Sequence, residues 1–149
     1  MKMHYFICLL FAAFFAPASI FSQAAPTSSE ASQLVAACSE ARPEMQEALT
    51  QALRSTKPWA GEVATILRNS LSLMDRIERA GTGMSATTLK SFKSELERLS
   101  KQLDEIKNPD GQSLKLLLFE CYDACWDKYP KVWQTLRRIG CIVRCLMNI

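Results

Sequence analysis

Of the six cysteines in this sequence, Cys8 falls in an N-terminal leader, and the other five carry the chemistry that the chain could do by spacing alone. In the stretch CYDACWDKYPKVWQTLRRIGCIVRC, residues 121–145, Cys121 and Cys125 form one Cys-x-x-x-Cys pair and Cys141 and Cys145 a second, while Cys38 stands far upstream. A thiol can close a disulfide, ligate a metal or attack as a nucleophile. The last of these needs a base to make the thiolate, and the only histidine is His4, inside an N-terminal leader. Ser-His and Cys-His pairs, histidine-ligated zinc and histidine general bases are thereby excluded from the mature chain.

Cysteines four apart lie on one face of a helix, about 6 Å apart along its axis. Two such helices set antiparallel can zip by two nested rungs, Cys121 with Cys145 and Cys125 with Cys141. Both rungs share a midpoint at residue 133, so the turn must be centred on Trp133. Were the last helix to begin at Lys131, Cys125 would sit about 7 Å from the turn and Cys141 about 15 Å. A disulfide tolerates Cα separations of roughly 4.4–6.8 Å, so that rung could not close. Residues 130–134 should therefore be loop, with Thr135 capping the final helix and Gly140 letting the two backbones approach. A four-thiolate zinc site is the competing use of two pairs, but zinc pairs usually hold two intervening residues, and an exported chain oxidises its thiols. No metal or other cofactor is expected. Cys38 is left over, and two readings stay open: a buried thiol on an apolar helix stripe, or an intermolecular bridge that makes a covalent homodimer. A shuffled scheme pairing Cys38 with one of the four is a third.

Carboxylates offer little. Glu95, Glu97, Asp104 and Glu105 alternate with apolar positions of one helix, the pattern of a solvated face. Gly-x-Ser-x-Gly, phosphate-binding glycine loops and Asn-x-Ser/Thr sites are missing from the sequence. The expectation is a protein without enzymatic activity.

These cysteines need an oxidising compartment, and the start of the chain supplies one. MKMHYFICLLFAAFFAPASIFSQAAPTSS has a short polar opening, an apolar run over residues 6–15 and a small-residue exit, which is a secretory signal peptide spanning residues 1–24. Cleavage is expected after Ala24, with Ala18 as the alternative. The apolar run is shorter than the roughly 20 residues that span a bilayer. The protein is thus read as secreted and extracellular. Its 18 basic and 15 acidic residues are near balance, which gives no electrostatic case for nucleic acid.

The elements that must position the cysteines are all helical by periodicity. Residues 25–33 are small and polar and read as a mobile start to the mature chain; 34–149 form one helical domain. Leu34, Cys38, Ala41, Met45, Ala48, Leu49, Ala52 and Leu53 recur at helical spacing, interrupted by Pro43, which should kink the segment or begin a second piece. Pro58 opens a second helix with Trp59, Val63, Ile66, Leu67, Leu73, Met74 and Ile77, closed by Gly81-Thr82-Gly83. Ser85 caps a third, whose Leu89, Phe92, Leu96, Leu99, Leu103 and Ile106 make an a/d seam. Asn108-Pro109-Asp110-Gly111 is a turn. The fourth segment, 113–126, is apolar on most sides, so it must be central or covered by a partner. A last helix carries Leu136, Ile139, Val143, Leu146 and Met147; with the fourth it forms a hairpin over 113–147. Short connectors make neighbours antiparallel. The expected fold is an all-α, up-down antiparallel bundle of four to five helices with a disulfide-stapled C-terminal helical hairpin.

Residues 121–145 resemble the cystine-stabilised helical hairpins, the plant alpha-hairpinins and the kappa-type scorpion potassium-channel toxins, in their double Cys-x-x-x-Cys framework; Cys121-Tyr122 and Cys125-Trp126 are especially similar to the toxin pattern. The resemblance implies a clamped scaffold for binding channels, proteases or microbial membranes. Twin-cysteine chaperones of the mitochondrial intermembrane space share the spacing but lack a secretory leader. The start APTSS is similar to four-helix cytokines, whose topology needs long crossovers that this chain does not have.

Function is expected at the C-terminal end, where Lys128, Lys131, Arg137, Arg138 and Arg144 follow the last acidic residue, Asp127. In the leading reading, Tyr129, Trp133, Arg137 and Arg138 anchor an extracellular protein target, because Trp, Tyr and Arg dominate binding hot spots. The protein would then be an effector or toxin-like modulator. Alternatives are a cationic membrane-active defence protein and a carrier with a small lipid between its helices. The blandest reading makes this segment the last core helix with solvated arginines.

Overall fold

The computed structural model describes residues 24–148, with side chains from residue 29. Apart from Ala24 itself, the signal-peptide segment lies outside the described residues. The elements are α1 (Ala24–Arg54), α2 (Ala60–Ala80), α3 (Ala86–Asp104), α4 (Leu114–Leu117), α5 (Phe119–Lys128), a 3-10 turn (Val132–Gln134) and α6 (Thr135–Met147). The chain is an all-α helical bundle with two disulfides in its C-terminal part.

Local chemistry sets most boundaries. The Ser85 hydroxyl accepts from the Thr88 amide at 3.1 Å and so satisfies one of the free donors that open α3. Gly81 ends α2 at φ 69°, donating its amide to the Ile77 carbonyl. In the turn after α3, Gly111 takes φ 79° and donates to Asn108, while the Asn108 side chain accepts from the Gln112 amide.

Two expectations at the first helix are corrected. Residues 25–33 are not an irregular start: α1 begins at Ala24, buries Ala31 and pairs Glu30 with Lys93 of α3. Pro43 does not divide the segment either, since it lies inside α1 on the exposed side. A mid-helix proline costs about 3 kcal/mol. Packing offsets it: Ala31, Ala37, Ala41, Ala48 and Ala52 are buried, and their small side chains let α1 press against α2, the most extensive helix pair in the fold. Leu53, expected on the same stripe, is exposed at 56%.

Ion pairs give the directions. Arg42 of α1 reaches Asp75 and Glu78 of α2, and Arg76 of α2 reaches Glu95 of α3. With short connectors these pairings make α1, α2 and α3 run antiparallel in turn. Between α1 and α6 the order is the same in both helices, Glu40 with Arg137 and Glu44 with Arg144, so these two are parallel. The up-down order therefore runs through five positions, with α4 and α5 as the fourth.

What closes the bundle is α6. It packs chiefly on α1, then on α3 and α2, and fully buries Leu136, Ile139, Ile142, Val143 and Leu146 in the same core as Leu96, Leu99 and Leu103 of α3. The Trp59 indole donates to the Leu146 carbonyl at 2.9 Å, tying the start of α2 to the end of α6. Of the two places expected for the fourth segment, central or covered by a partner, the first does not hold. The segment breaks at Leu118 (φ −115°, ψ 25°) into α4 and α5, and α5 packs chiefly on the outer side of α6. A segment apolar all round has no stripe that directs it inward; the two disulfides decide its place instead.

Candidate binding surface

The hairpin closes by nested bridges. Cys121 bonds to Cys145 with Cα atoms 6.0 Å apart, and Cys125 to Cys141 at 5.8 Å. All four thiols are consumed, and no cluster of metal-ligating side chains occurs among the described residues. Such disulfides are compatible with an extracellular location. Residues 129–131 leave the helix as the spacing requires, but Val132–Gln134 form a 3-10 turn and not open loop. Thr135 is the first residue of α6, not its cap. Its hydroxyl donates to the Val132 carbonyl at 2.6 Å, which tightens the turn. Gly140 faces α1: a Cβ there would meet Glu44 side-chain atoms at 3.4 Å, so the glycine eases the approach of α6 to α1 and not to α5.

Of the four side chains expected to anchor a partner, the structure buries two. Arg138 is 4% exposed and Tyr129 is 8% exposed. The Arg138 guanidinium donates to the Tyr129 carbonyl at 2.7 Å and to the Thr135 hydroxyl at 3.1 Å, and it lies 3.6 Å from the centre of the Trp126 ring. Burial pulls its pKa down, opposed by the charge of Asp104. It is a strut between α5, the turn and α6. Trp133 is half-buried, packed on the core beneath Lys131. Arg137 is half-buried, stacked on Tyr129 and paired with Glu40 at 3.2 Å. Together with the Arg144–Glu44 pair this leaves Lys128 and Lys131 as the exposed cations of the segment without an ion pair among the described residues. Of the five cations legible in the sequence, α1, about a hundred residues away in the chain, neutralises Arg137 and Arg144, and the hairpin itself encloses Arg138.

The carboxylates of α3 behave as a solvated face. Glu95 pairs with Arg76, Asp104 with Lys115 and Glu105 with Lys101, and Glu97 is exposed. None is set opposite another as an acid–base couple.

Cys38 is fully enclosed among α1 and its neighbours. A bridge through it to a second chain would require α1 to open, which weighs against the covalent homodimer. Burial and, secondarily, Glu78 push its thiol up to about 12. Because the folded state holds the proton more tightly, this contributes stability that is present below the ordinary thiol range and is lost as pH rises toward that value. We expect iodoacetamide to leave Cys38 unmodified in the native protein at pH 8 and to alkylate it in urea; modification at equal rates in both states, read by mass spectrometry, would show that the site is open.

The surface that is accessible lies on the fourth segment. Leu116 is 75% exposed, Leu117 55% and Phe119 60%, with Trp126 at the edge at 37%. Their neighbours Leu114, Tyr122 and Cys125 point inward, so the ridge is anchored from below. Asp104 holds Lys115 at 2.7 Å and the Leu114 amide donates to the Ile106 carbonyl at 3.1 Å, which fixes α4 against the end of α3; the Ser113 hydroxyl caps α4 by accepting from the Leu116 amide at 3.4 Å. The sequence carried the signal for this ridge in the all-round apolarity of 113–126. Beside the bridges, Leu118, Tyr129, the three half-cystines Cys121, Cys141 and Cys145, and Arg144 help to line a groove of about 340 Å³. It opens along the outside of the hairpin, whereas the space between the bundle helices is filled by side chains of the core. No described helix is long and apolar enough to cross a membrane.

Fold and surface together define a disulfide-stapled helical bundle with an apolar ridge on its stapled arm. Comparisons with protein-family models, curated proteins and solved structures return no match for this chain.

Proposed function

We propose that this is a secreted, non-enzymatic protein that acts by binding another protein, as an effector or toxin-like modulator, and that its binding surface is the ridge of Leu116, Leu117 and Phe119. The carrying observation is that three apolar side chains within four residues of one another, all more than half exposed, stand on an arm that two covalent bridges hold in place. Exposed apolar groups cost solubility and find their use when a partner covers them. Preorganisation by disulfides lowers the entropy lost on docking. The leader-like start and the hairpin's similarity to channel- and protease-binding peptides support the same reading.

This moves the anchor from the basic end of the chain to α4 and α5. Tyr129 and Arg138 are engaged inside the hairpin, so they serve the surface by supporting it. The carrier reading draws no support from the packed core, and the membrane reading loses Arg137 and Arg144 to Glu40 and Glu44 and Arg138 to the inside of the hairpin.

The test is binding of the native protein, immobilised, to an arrayed set of extracellular and membrane-protein ectodomains. A defined partner should be retained, and L116S/L117S/F119S should weaken it at least tenfold while far-ultraviolet circular dichroism and melting stay unchanged. Undiminished binding by that variant would remove the ridge from the interface; native material that carries a stoichiometric lipid and binds no ectodomain would favour the carrier.

A further inference from the structure

The ridge does not stand alone on α5. At about 100° per residue, Phe119, Asp123, Asp127 and Glu120 fall in that order within an arc of roughly 100° on the outer side of the helix. All four are exposed, and none of the three carboxylates has an ion-pair partner among the described residues. Exposed carboxylates without an ion pair also occur on other helices, as Glu47, Glu62 and Glu97 do, but α5 sets three of them on the same side as an exposed aromatic ring. On α5, therefore, the apolar surface that Phe119 shares with the preceding Leu116 and Leu117 continues into an unneutralised acidic arc.

We propose that the occupant of this surface is a basic amphipathic helix of the partner protein. Its apolar face would lie on Leu116, Leu117 and Phe119, and its Lys or Arg rim on Glu120, Asp123 and Asp127. The inference rests on the ridge being the protein-binding surface and adds the chemistry of what binds there. Charge sign selects among occupants. An anionic lipid surface is repelled by the carboxylates that share the ridge's face. A second copy meeting ridge to ridge would bring the same acidic arc to the contact and no cationic rim to answer it, because an isologous interface uses one patch twice. A cationic helix meets opposite charge at the rim and apolar surface at the centre, the arrangement of helix-in-groove recognition. Rim charges of this kind act mainly on encounter rate and on selection of the right partner.

The probe is a fluorescein-labelled 18-residue helical peptide of Leu and Lys, with a Leu/Glu twin of identical apolar face, titrated by anisotropy against the native disulfide-bonded protein. The Leu/Lys peptide should bind at least tenfold more tightly than its twin, and its affinity should fall with added salt. E120Q/D123N/D127N should lose about tenfold, and L116S/L117S/F119S should lose binding altogether. E47Q/E62Q/E97Q, which removes as many exposed carboxylates from other faces, should bind as the parent does. Equal affinity for the two peptides, an equal loss in E47Q/E62Q/E97Q, or indifference to the ridge substitutions would each overturn the proposal. So would ridge-dependent self-association in sedimentation velocity, which names a second copy as occupant, or ridge-dependent binding to phosphatidylglycerol vesicles. Should the ridge variant lose its ectodomain partner while the two peptides bind alike, the docking surface stands and only the basic occupant falls.

Discussion

Alanine at Cys121, Cys125, Cys141 and Cys145 together is expected to lower stability by about 5 kcal/mol, with the loss concentrated in α4 and α5. Closing the inner loop, whose ends are 16 residues apart, restricts the unfolded chain by about 3 kcal/mol. The outer bridge spans 24 residues. With the inner bridge formed, however, it closes only the short flanks on either side, so it adds about 2.5 kcal/mol and not a second full contribution. The location of the damage follows from packing. α5 contributes only Tyr122 and Cys125 to the buried set and leans chiefly on α6, whereas α6 is held by α1, α2 and α3 as well. Hydrogen exchange should therefore accelerate over residues 119–128 in the four-alanine variant, or in the parent reduced with a phosphine, while α3 amides stay protected. Loss of protection spread evenly over α1, α2 and α3 would mean that the staple holds the whole bundle; unchanged exchange in α5 would mean that it holds nothing. Since the ridge sits on this arm, ridge-dependent binding should fall in the same variant.

Arg138→Ala is expected to cost about 3 kcal/mol, a fall in Tm of roughly 10 °C for a domain of this size. Two charge-assisted hydrogen bonds and the stack on Trp126 are lost together. Each such bond is worth about 1.5–3 kcal/mol and a desolvated cation–π contact about 2 kcal/mol, from which the cost of burying the guanidinium must be subtracted. Arg138→Met separates these contributions, because it keeps the stem's packing and drops the charge. If the methionine variant melts with the parent, the hydrogen bonds do no more than offset desolvation and the strut is one of packing. Arg138→Lys should fall between the two, since an ammonium cannot span the Tyr129 carbonyl and the Thr135 hydroxyl while lying flat on an indole ring. Denaturant melts of the three variants at one pH decide the matter.

Periodicity and turn chemistry made much of this architecture legible. The a/d seam of α3 was readable because its apolar residues repeat on one face and its cap, Ser85, and stop, Asn108 to Gly111, are local signals. The nested bridges followed from helix geometry and the distance a disulfide allows. Local rules failed where a distant segment intervened. Residues 25–33 read as irregular by composition, yet Ala31 finds a buried site and Glu30 finds Lys93. Pro43 read as a break, yet close packing on α2 outweighs one missing hydrogen bond.

The binding surface divides along the same line. The sequence by itself determined that four cysteines would lock a helical hairpin, that its single histidine falls at position 4, far from those cysteines, and that segment 113–126 had more apolar surface than one core-facing stripe needs. Only the tertiary structure decided which helix fills the fourth place in the core and which is left outside. With α6 inside, Arg137 and Arg144 meet Glu40 and Glu44, Arg138 is sealed under Trp126, and the basic end of the chain loses the exposure that its composition suggested. With α4 and α5 outside, Leu116, Leu117 and Phe119 come to the surface beside Glu120, Asp123 and Asp127. The physical reason is that periodicity reports which face of a helix is apolar, whereas burial and charge neutralisation depend on what the rest of the chain brings against that face.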